Sequence, residues 1–180
     1  MLKTLQLHID KNFPFLKGKK LLIAVSGGVD SVVLTQLFYK LNYSISLAHC
    51  NFNLRGTESD LDEQFVIKIG EKLNCNTFHI RFYTKDYATK NKLSTQIAAR
   101  ELRYQWLQKI ATENKFDYIL TAHHADDNLE TFLINLSRGS GLEGLTGIPS
   151  INNNIIRPLL IFSREEIEHY AITNSINWRE

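Results

Sequence analysis

Cysteine is nearly absent: the 180-residue chain has only Cys50 and Cys75. They form no CxxC pair, and no secretory signal precedes them, which excludes a disulfide scaffold or a cysteine zinc cluster and fits a reducing cytoplasm. No apolar run approaches the length of a membrane span, so a soluble, cytoplasmic protein is expected. Charge of one sign is also lacking. A net charge of +2 and the absence of a basic tail do not imply nucleic-acid binding by themselves. There are no internal repeats and no low-complexity tracts. What remains is ordinary globular composition, 43% apolar and 22% charged, in a length that suits one domain burying about 70% of its unfolded surface.

The chain is organised around Leu21-Leu22-Ile23-Ala24-Val25-Ser26-Gly27-Gly28-Val29-Asp30-Ser31. An apolar run of strand length stops at Ser-Gly-Gly, and the apolar period then changes to the helical spacing of Val32, Val33, Leu34, Leu37, Phe38 and Leu41. A strand turning through two glycines into a helix leaves backbone N–H groups unpaired and lets an oxyanion approach without meeting a Cβ. The positive end of the helix dipole adds to the attraction. No Lys follows the glycines, so this is not a Walker loop. Asp30 stands there instead, and two like charges 4 Å apart repel by roughly 4 kcal/mol at an effective dielectric near 20. A bridging Mg²⁺ would reconcile carboxylate and phosphate. The plainer alternative has Ser26 capping the helix and Asp30 complementing its dipole.

The rest of the chain alternates. A short amphipathic helix is expected over residues 1–12, with Leu2, Leu5, Leu7 and Ile9 as its apolar set. Strands are expected at Leu21–Ser26, Tyr43–Asn51, Thr77–Tyr83, Tyr118–Ala122 and Ile155–Leu160. Helices are expected to follow Ser26, to run from Ser59 to Leu73 with Leu61, Phe65, Val66 and Ile69 inward, and from Thr95 to Asn114. A further helix starts near Asp127 with Leu129, Phe132, Leu133 and Leu136 as its core stripe. A glycine-rich loop spans Arg138 to Pro149, and Ser163 caps the last helix. This alternation predicts an α/β fold, a parallel five-stranded sheet with helices on both faces. Ligands in such sheets bind beyond the carboxyl ends of the strands, where strand order reverses, and every polar cluster here follows a strand.

Three clusters can carry chemistry. His49 to Gly56 could present backbone groups to a purine and Arg55 to phosphate or RNA, or it could be an ordinary polar loop, with Cys50 a small packed residue. Ala98 to Tyr104 lies on a helix where Arg100 and Arg103 sit about 60° apart. Either guanidinium could face phosphate, or both could be surface ion pairs. Thr121 to Thr131 holds His123, His124, Asp127 and Glu130. Asp127 and Glu130 share a helix face and suit a metal or an ammonium group, or else form a solvated acidic cap. Adjacent histidines at a strand end point to opposite sides, so at most one is expected to face a site. A zinc reading lacks a third ligand.

Together these strings resemble the N-type ATP pyrophosphatases and, among them, the bacterial tRNA(Ile)-lysidine synthases. The match runs through Ser26–Ser31, His49–Gly56, Ala98–Tyr104, His123–Thr131, Arg138–Leu145 and Ile156–Leu160, in order. Cys50 and Asn128 depart from the residues usual there. The resemblance implies a Rossmann-like, adenine nucleotide alpha hydrolase-like fold, with residues 1–180 as the N-terminal ATP-pyrophosphatase domain and C-terminal tRNA-binding domains apparently missing. It implies a ligase joining L-lysine to C2 of the wobble cytidine of tRNA(Ile) with a CAU anticodon, using ATP and Mg²⁺ and releasing pyrophosphate and AMP. Ser26, Gly27, Gly28, Val29, Asp30 and Ser31 would hold pyrophosphate, and Asp30 and Asp127 the metal. Arg100, His123, Asp127 and Glu130 would be catalytic. A homodimer is a further expected partner state. Competing readings are a tRNA-thiolating relative, an amide-forming synthetase, and a non-catalytic ATP-binding module.

Overall fold

The computed structural model describes residues 1–139 and 147–179. The glycine-rich string from Ser140 to Leu145 therefore lies outside the described residues, as does Glu180. Helix α1 (Leu2–Asn12) leads to strand β1 (Lys20–Ala24), α2 (Val29–Lys40), β2 (Ser44–Asn51), α3 (Thr57–Leu73) and β3 (Thr77–Arg81). Then come α4 (Thr84–Asn91), α5 (Thr95–Glu113), β4 (Tyr118–Leu120), α6 (Ala125–Ser137), the short strands β5 (Ile151–Asn152) and β6 (Ile155–Ile156), and α7 (Arg164–Thr173).

The strands form one sheet in the order β3-β2-β1-β4-β6-β5, parallel except for β5 against β6. The expected parallel α/β sheet is present, with one strand more than expected. Ile155–Leu160 is not a single strand. Pro158 has no N–H to offer the ladder, so β6 stops at Ile156 and residues 158–161 form a 3₁₀ turn. Upstream, Asn153 adopts a left-handed φ of +53° and turns the chain into a hairpin. Helix α4 was not expected either.

Alternation along β1 divides the core. Leu21 and Ile23 face the layer of α1, α2, α3 and α7, where Leu5, Phe13, Leu34, Phe38 and Ile167 are fully or almost fully buried. Leu22 faces α5 with Trp106, Leu107 and Ile119. Some expected inward residues are outside: Leu7 is 62% exposed and Leu61 42%. The larger correction concerns α6. Leu129, Leu133 and Leu136 are more than half exposed, and the helix has no buried residue. Helical spacing marks an apolar face but does not say what covers it, and no other described element buries this one.

β1 lies between β2, which continues toward β3, and β4, which starts the opposite half. Strand order reverses between β1 and β4, and a crevice is expected beyond their carboxyl ends.

Candidate functional site

A cavity of about 190 Å³ occupies that crevice. Ala24, Val25 and Ser26 of the first crossover and Thr121, Ala122 and His123 of the fourth line it. Ala48, Cys50, Phe52, Tyr104 and Leu107 give it a largely apolar wall, while Asp30, Ser31, Arg103 and Asp127 supply charge and hydroxyl. An apolar cleft with a few convergent polar groups is the usual form of a small-molecule site.

The glycine loop is tied by its own serines. Ser31 Oγ–H donates to the Gly28 carbonyl at 2.9 Å and accepts the Ser26 N–H at 3.1 Å. The Gly28 N–H donates to Ser26 Oγ at 3.2 Å. Ser26 is thus not the helix cap; Gly28 is, without a side-chain bond. Gly27 has φ of +102°, a conformation L side chains rarely adopt. Gly28 is extended, and a Cβ there would meet only Ser26 Oγ at 3.5 Å, so its backbone stays open to an approaching ligand. His49, 3% exposed, anchors the strand that feeds the loop: its Nδ1–H donates to the Val25 carbonyl at 2.8 Å. Burial pushes its pKa down, against the bond to Val25, which raises it.

His124 joins the two walls. Its Nε2 lies 3.9 Å from Asp30 Oδ1 and 3.5 Å from Asp127 Oδ2. The Asp30 and Asp127 carboxylates therefore meet on one side of the sheet, around one imidazole nitrogen. Burial raises the Asp30 pKa, against the Arg164 guanidinium and His124, which lower it. Asp30 Oδ1 is buried without a hydrogen-bond partner. An orphaned carboxylate oxygen beside a second carboxylate fits a hard cation shared with phosphate oxygens. The described residues hold no group of three or more His, Cys, Asp or Glu arranged for a metal, so a cation here would take most of its ligands from substrate or water.

Of the adjacent histidines, His123 lines the cavity and His124 sits beneath it at the start of α6. Only His123 of the pair lines the cavity, as expected of adjacent histidines at a strand end, while His124, the N-cap of α6, reaches the two carboxylates instead. Burial and the cations of Arg157, Arg100 and Arg103 push the His123 pKa down to about 4, against Asp127. Thr121 Oγ1 is 3.0 Å from His123 Nδ1.

The arginines of α5 divide. Arg103 lines the cavity and lies 5.3 Å over the Phe52 ring, whereas Arg100 is exposed and 5.0 Å over Tyr104. The cation–π contacts hold each head over an aromatic ring that lines the cavity. Glu130 is exposed, one turn beyond Asp127 and outside the cavity lining. In the His49–Gly56 loop, Arg55 Nη2 donates to the Asp62 carboxylate at 2.6 Å, and Asn51 donates to Asp60 and Glu63. That loop is thus held largely by structural bonds. Asn128 Oδ1, on α6, accepts the Ile148 N–H at 2.6 Å. No sequence signal marked Arg164, which reaches Asp30 from α7 at 2.5 Å; Arg157, inside the matched Ile156–Leu160 string, is buried and had no role assigned.

Comparison with known proteins follows the same outline. Curated relatives called tRNA(Ile)-lysidine synthase are 47% identical in Bacteroides thetaiotaomicron, over 91% of this chain and 38% of that protein. They are 46% identical in Porphyromonas gingivalis, over 92% and 37%, and 44% in Chlorobaculum tepidum, over 91% and 50%. The chain thus spans half the length of these relatives or less. Among solved structures, the U34-tRNA thiolase NcsA from Methanococcus maripaludis, described with its [4Fe-4S] cluster, superposes with a TM-score of 0.79. It is 20% identical, and the match covers 99% of this chain and 66% of that one. NMN synthetase from Francisella tularensis gives 0.68 at 15% identity, over 98% and 70%. These two likenesses show the fold. The family model described as the PP-loop domain matches residues 1–180, and the chain belongs to that family.

Proposed function

We propose that this chain is the nucleotide-using domain of a cytoplasmic ligase that joins L-lysine to C2 of the wobble cytidine in tRNA(Ile) with a CAU anticodon. The observation that carries the reading is the meeting of the Asp30 and Asp127 carboxylates around His124 Nε2, at the open end of a serine-tied glycine loop. The identity of 44–47% to lysidine synthases supports the choice of reaction.

In this reading the cytidine O2 attacks the α-phosphorus of ATP, and the bond to the bridging oxygen of pyrophosphate breaks. The free lysine ε-amine then attacks C2, AMP leaves, and one proton is released. Ser26 to Ser31 hold the pyrophosphate through backbone N–H groups and hydroxyls at the head of α2. Arg100, with Arg103 deeper on the rim, faces the α-phosphate as charge builds there. Asp30 and Asp127 would hold Mg²⁺, which neutralises phosphate charge when bound.

Asp127 and Glu130 recruit the lysine ammonium. With a pKa of about 10.4, only about 0.1% of that amine is free near pH 7.4, and neighbouring carboxylates lower the fraction further. The same pair must therefore both attract the cation and receive its proton. His123, neutral at physiological pH because burial lowers its pKa to about 4, positions substrate through hydrogen bonds rather than as a cation.

The test is transfer of radiolabelled lysine onto a CAU-anticodon tRNA, together with pyrophosphate release, for this chain and a full-length counterpart. Release from ATP that requires tRNA is expected, with lysine required for turnover beyond one equivalent of adenylated tRNA. Nucleotide binding without such release in the full-length protein would reduce the reading to an ATP-binding module. In Glu130→Gln, unchanged lysine affinity and unchanged turnover would remove that residue from the assignment.

A further inference from the structure

Arg164 stands at the first position of α7, far in sequence from the glycine loop, yet its guanidinium is bound to that loop's acid. Nη1 donates to Asp30 Oδ2 at 2.5 Å. The same guanidinium donates through Nε to Glu168 at 2.6 Å, and the Arg164 backbone N–H donates to Asp126 Oδ2 at 2.7 Å. Ser163 and Glu166 close a reciprocal capping box just around it. The residue is therefore held at its backbone by α6 and at one edge of its fork by α7. Its Nη1 is bonded across to α2.

The two oxygens of Asp30 have unlike surroundings. Oδ2 is fixed by Arg164, while Oδ1 is buried with no hydrogen-bond donor and lies 3.9 Å from His124 Nε2. A buried carboxylate oxygen without a partner is costly and is tolerated where a ligand completes its coordination. A planar fork with fixed donors suits such an orienting role better than an ammonium point charge. Groups that orient a metal-binding side chain commonly change metal affinity 10- to 100-fold when removed.

We propose that Arg164 is a positioning residue: it grips Asp30 Oδ2 and so turns Oδ1 into the cleft, toward the cation that accompanies the nucleotide phosphates, without itself touching the nucleotide. This rests on the nucleotide reading above. Glu168 serves the same end by holding the guanidinium in plane.

Calorimetric titration of ATP at a series of Mg²⁺ concentrations tests this on binding alone. For Arg164→Gln, the Mg²⁺ concentration giving half-maximal ATP binding should rise about tenfold. Arg164→Lys and Glu168→Gln should shift it less, in the same direction, and they supply the measurement if Arg164→Gln fails to fold. In an Asp30→Asn background, Arg164→Gln should add nothing. An equal loss in that background would mean that Arg164 contacts phosphate directly, and would overturn the proposal. So would an unchanged or lowered Mg²⁺ requirement. Wild-type protein that binds no ATP at any Mg²⁺ concentration would overturn the nucleotide reading itself, and the wild-type titration reports that separately.

Discussion

Asp127 is bound to His124 twice over: its Oδ2 accepts the His124 backbone N–H at 2.9 Å and lies 3.5 Å from the His124 ring Nε2. The first contact belongs to folding, since it satisfies an orphan donor at the start of α6. The second belongs to the site, since the same nitrogen also faces Asp30. One carboxylate thus caps a helix and lines the cavity.

The two roles separate by substitution. Asp127→Asn keeps an acceptor for the His124 N–H, whereas Asp127→Ala removes it at a cost of about 1 kcal/mol. For a chain of this size that corresponds to a fall of about 2–4 °C in Tm. The Asn variant should melt near the wild type, the Ala variant lower, and both should lose Mg²⁺-dependent ATP turnover. Full turnover in the Asn variant would leave Asp127 with the cap alone.

His123 gives a pH signature. Its pKa is lowered from an ordinary 6.5 to about 4 by burial and by the neighbouring arginines. The unfolded chain therefore binds the proton more readily than the folded one between those values. The stabilisation from keeping His123 neutral is complete above about pH 6.5 and is lost as pH falls toward 4. An NMR titration should place its midpoint well below 5, and the rate profile between pH 6 and 8 should carry no inflection from this residue. A midpoint near 6.5 would contradict the burial account.

Cys50 lines the cavity, but burial pushes its thiol up to about 12, against a smaller opposing pull from Arg103. At pH 8 about one molecule in ten thousand would carry the thiolate. Iodoacetamide should leave Cys50 unmodified on the timescale that alkylates a free thiol, and Cys50→Ala should retain nucleotide binding. Loss of turnover in that variant with binding intact would instead favour sulfur chemistry, the thiolase-like alternative.

The reach of sequence reasoning follows the range of each interaction. The glycine loop was legible because its chemistry is contained in six consecutive residues, and the parallel sheet because each strand and helix announces its own period. Arg164 was not legible: its partner Asp30 is 134 positions away, and only the meeting of α2, α6 and α7 at one crest brings them together. Arg100 and Arg103 share a motif, and spacing alone did not say which would enter the cavity. That depended on where Phe52 and Tyr104 lie. The hairpin at β5 and β6 was not expected, since only one strand, over Ile155–Leu160, stands out by its apolar run, and the turn depends on Asn153 taking a left-handed conformation.

The exposed face of α6 yields the last prediction. Leu129, Leu133 and Leu136 recur at helical spacing, and a core reading makes any of them costly to remove, about 2–5 kcal/mol for a buried leucine cut to alanine. Here Leu133 is 52% exposed and Leu129 57%, so most of that apolar surface already meets water. Surface substitutions away from caps and buried partners stay within about 0.5 kcal/mol. Leu133→Ala should therefore leave the chemical denaturation midpoint of this chain nearly unchanged, while Leu107→Ala, fully buried between α5 and the sheet with Leu22 and Ile119, should lower it sharply. The same pair measured in a full-length relative adds a second comparison. A large loss at the position equivalent to Leu133 there, against none here, would show that the face becomes buried in the longer protein; a large loss in this chain would overturn the exposure described for α6.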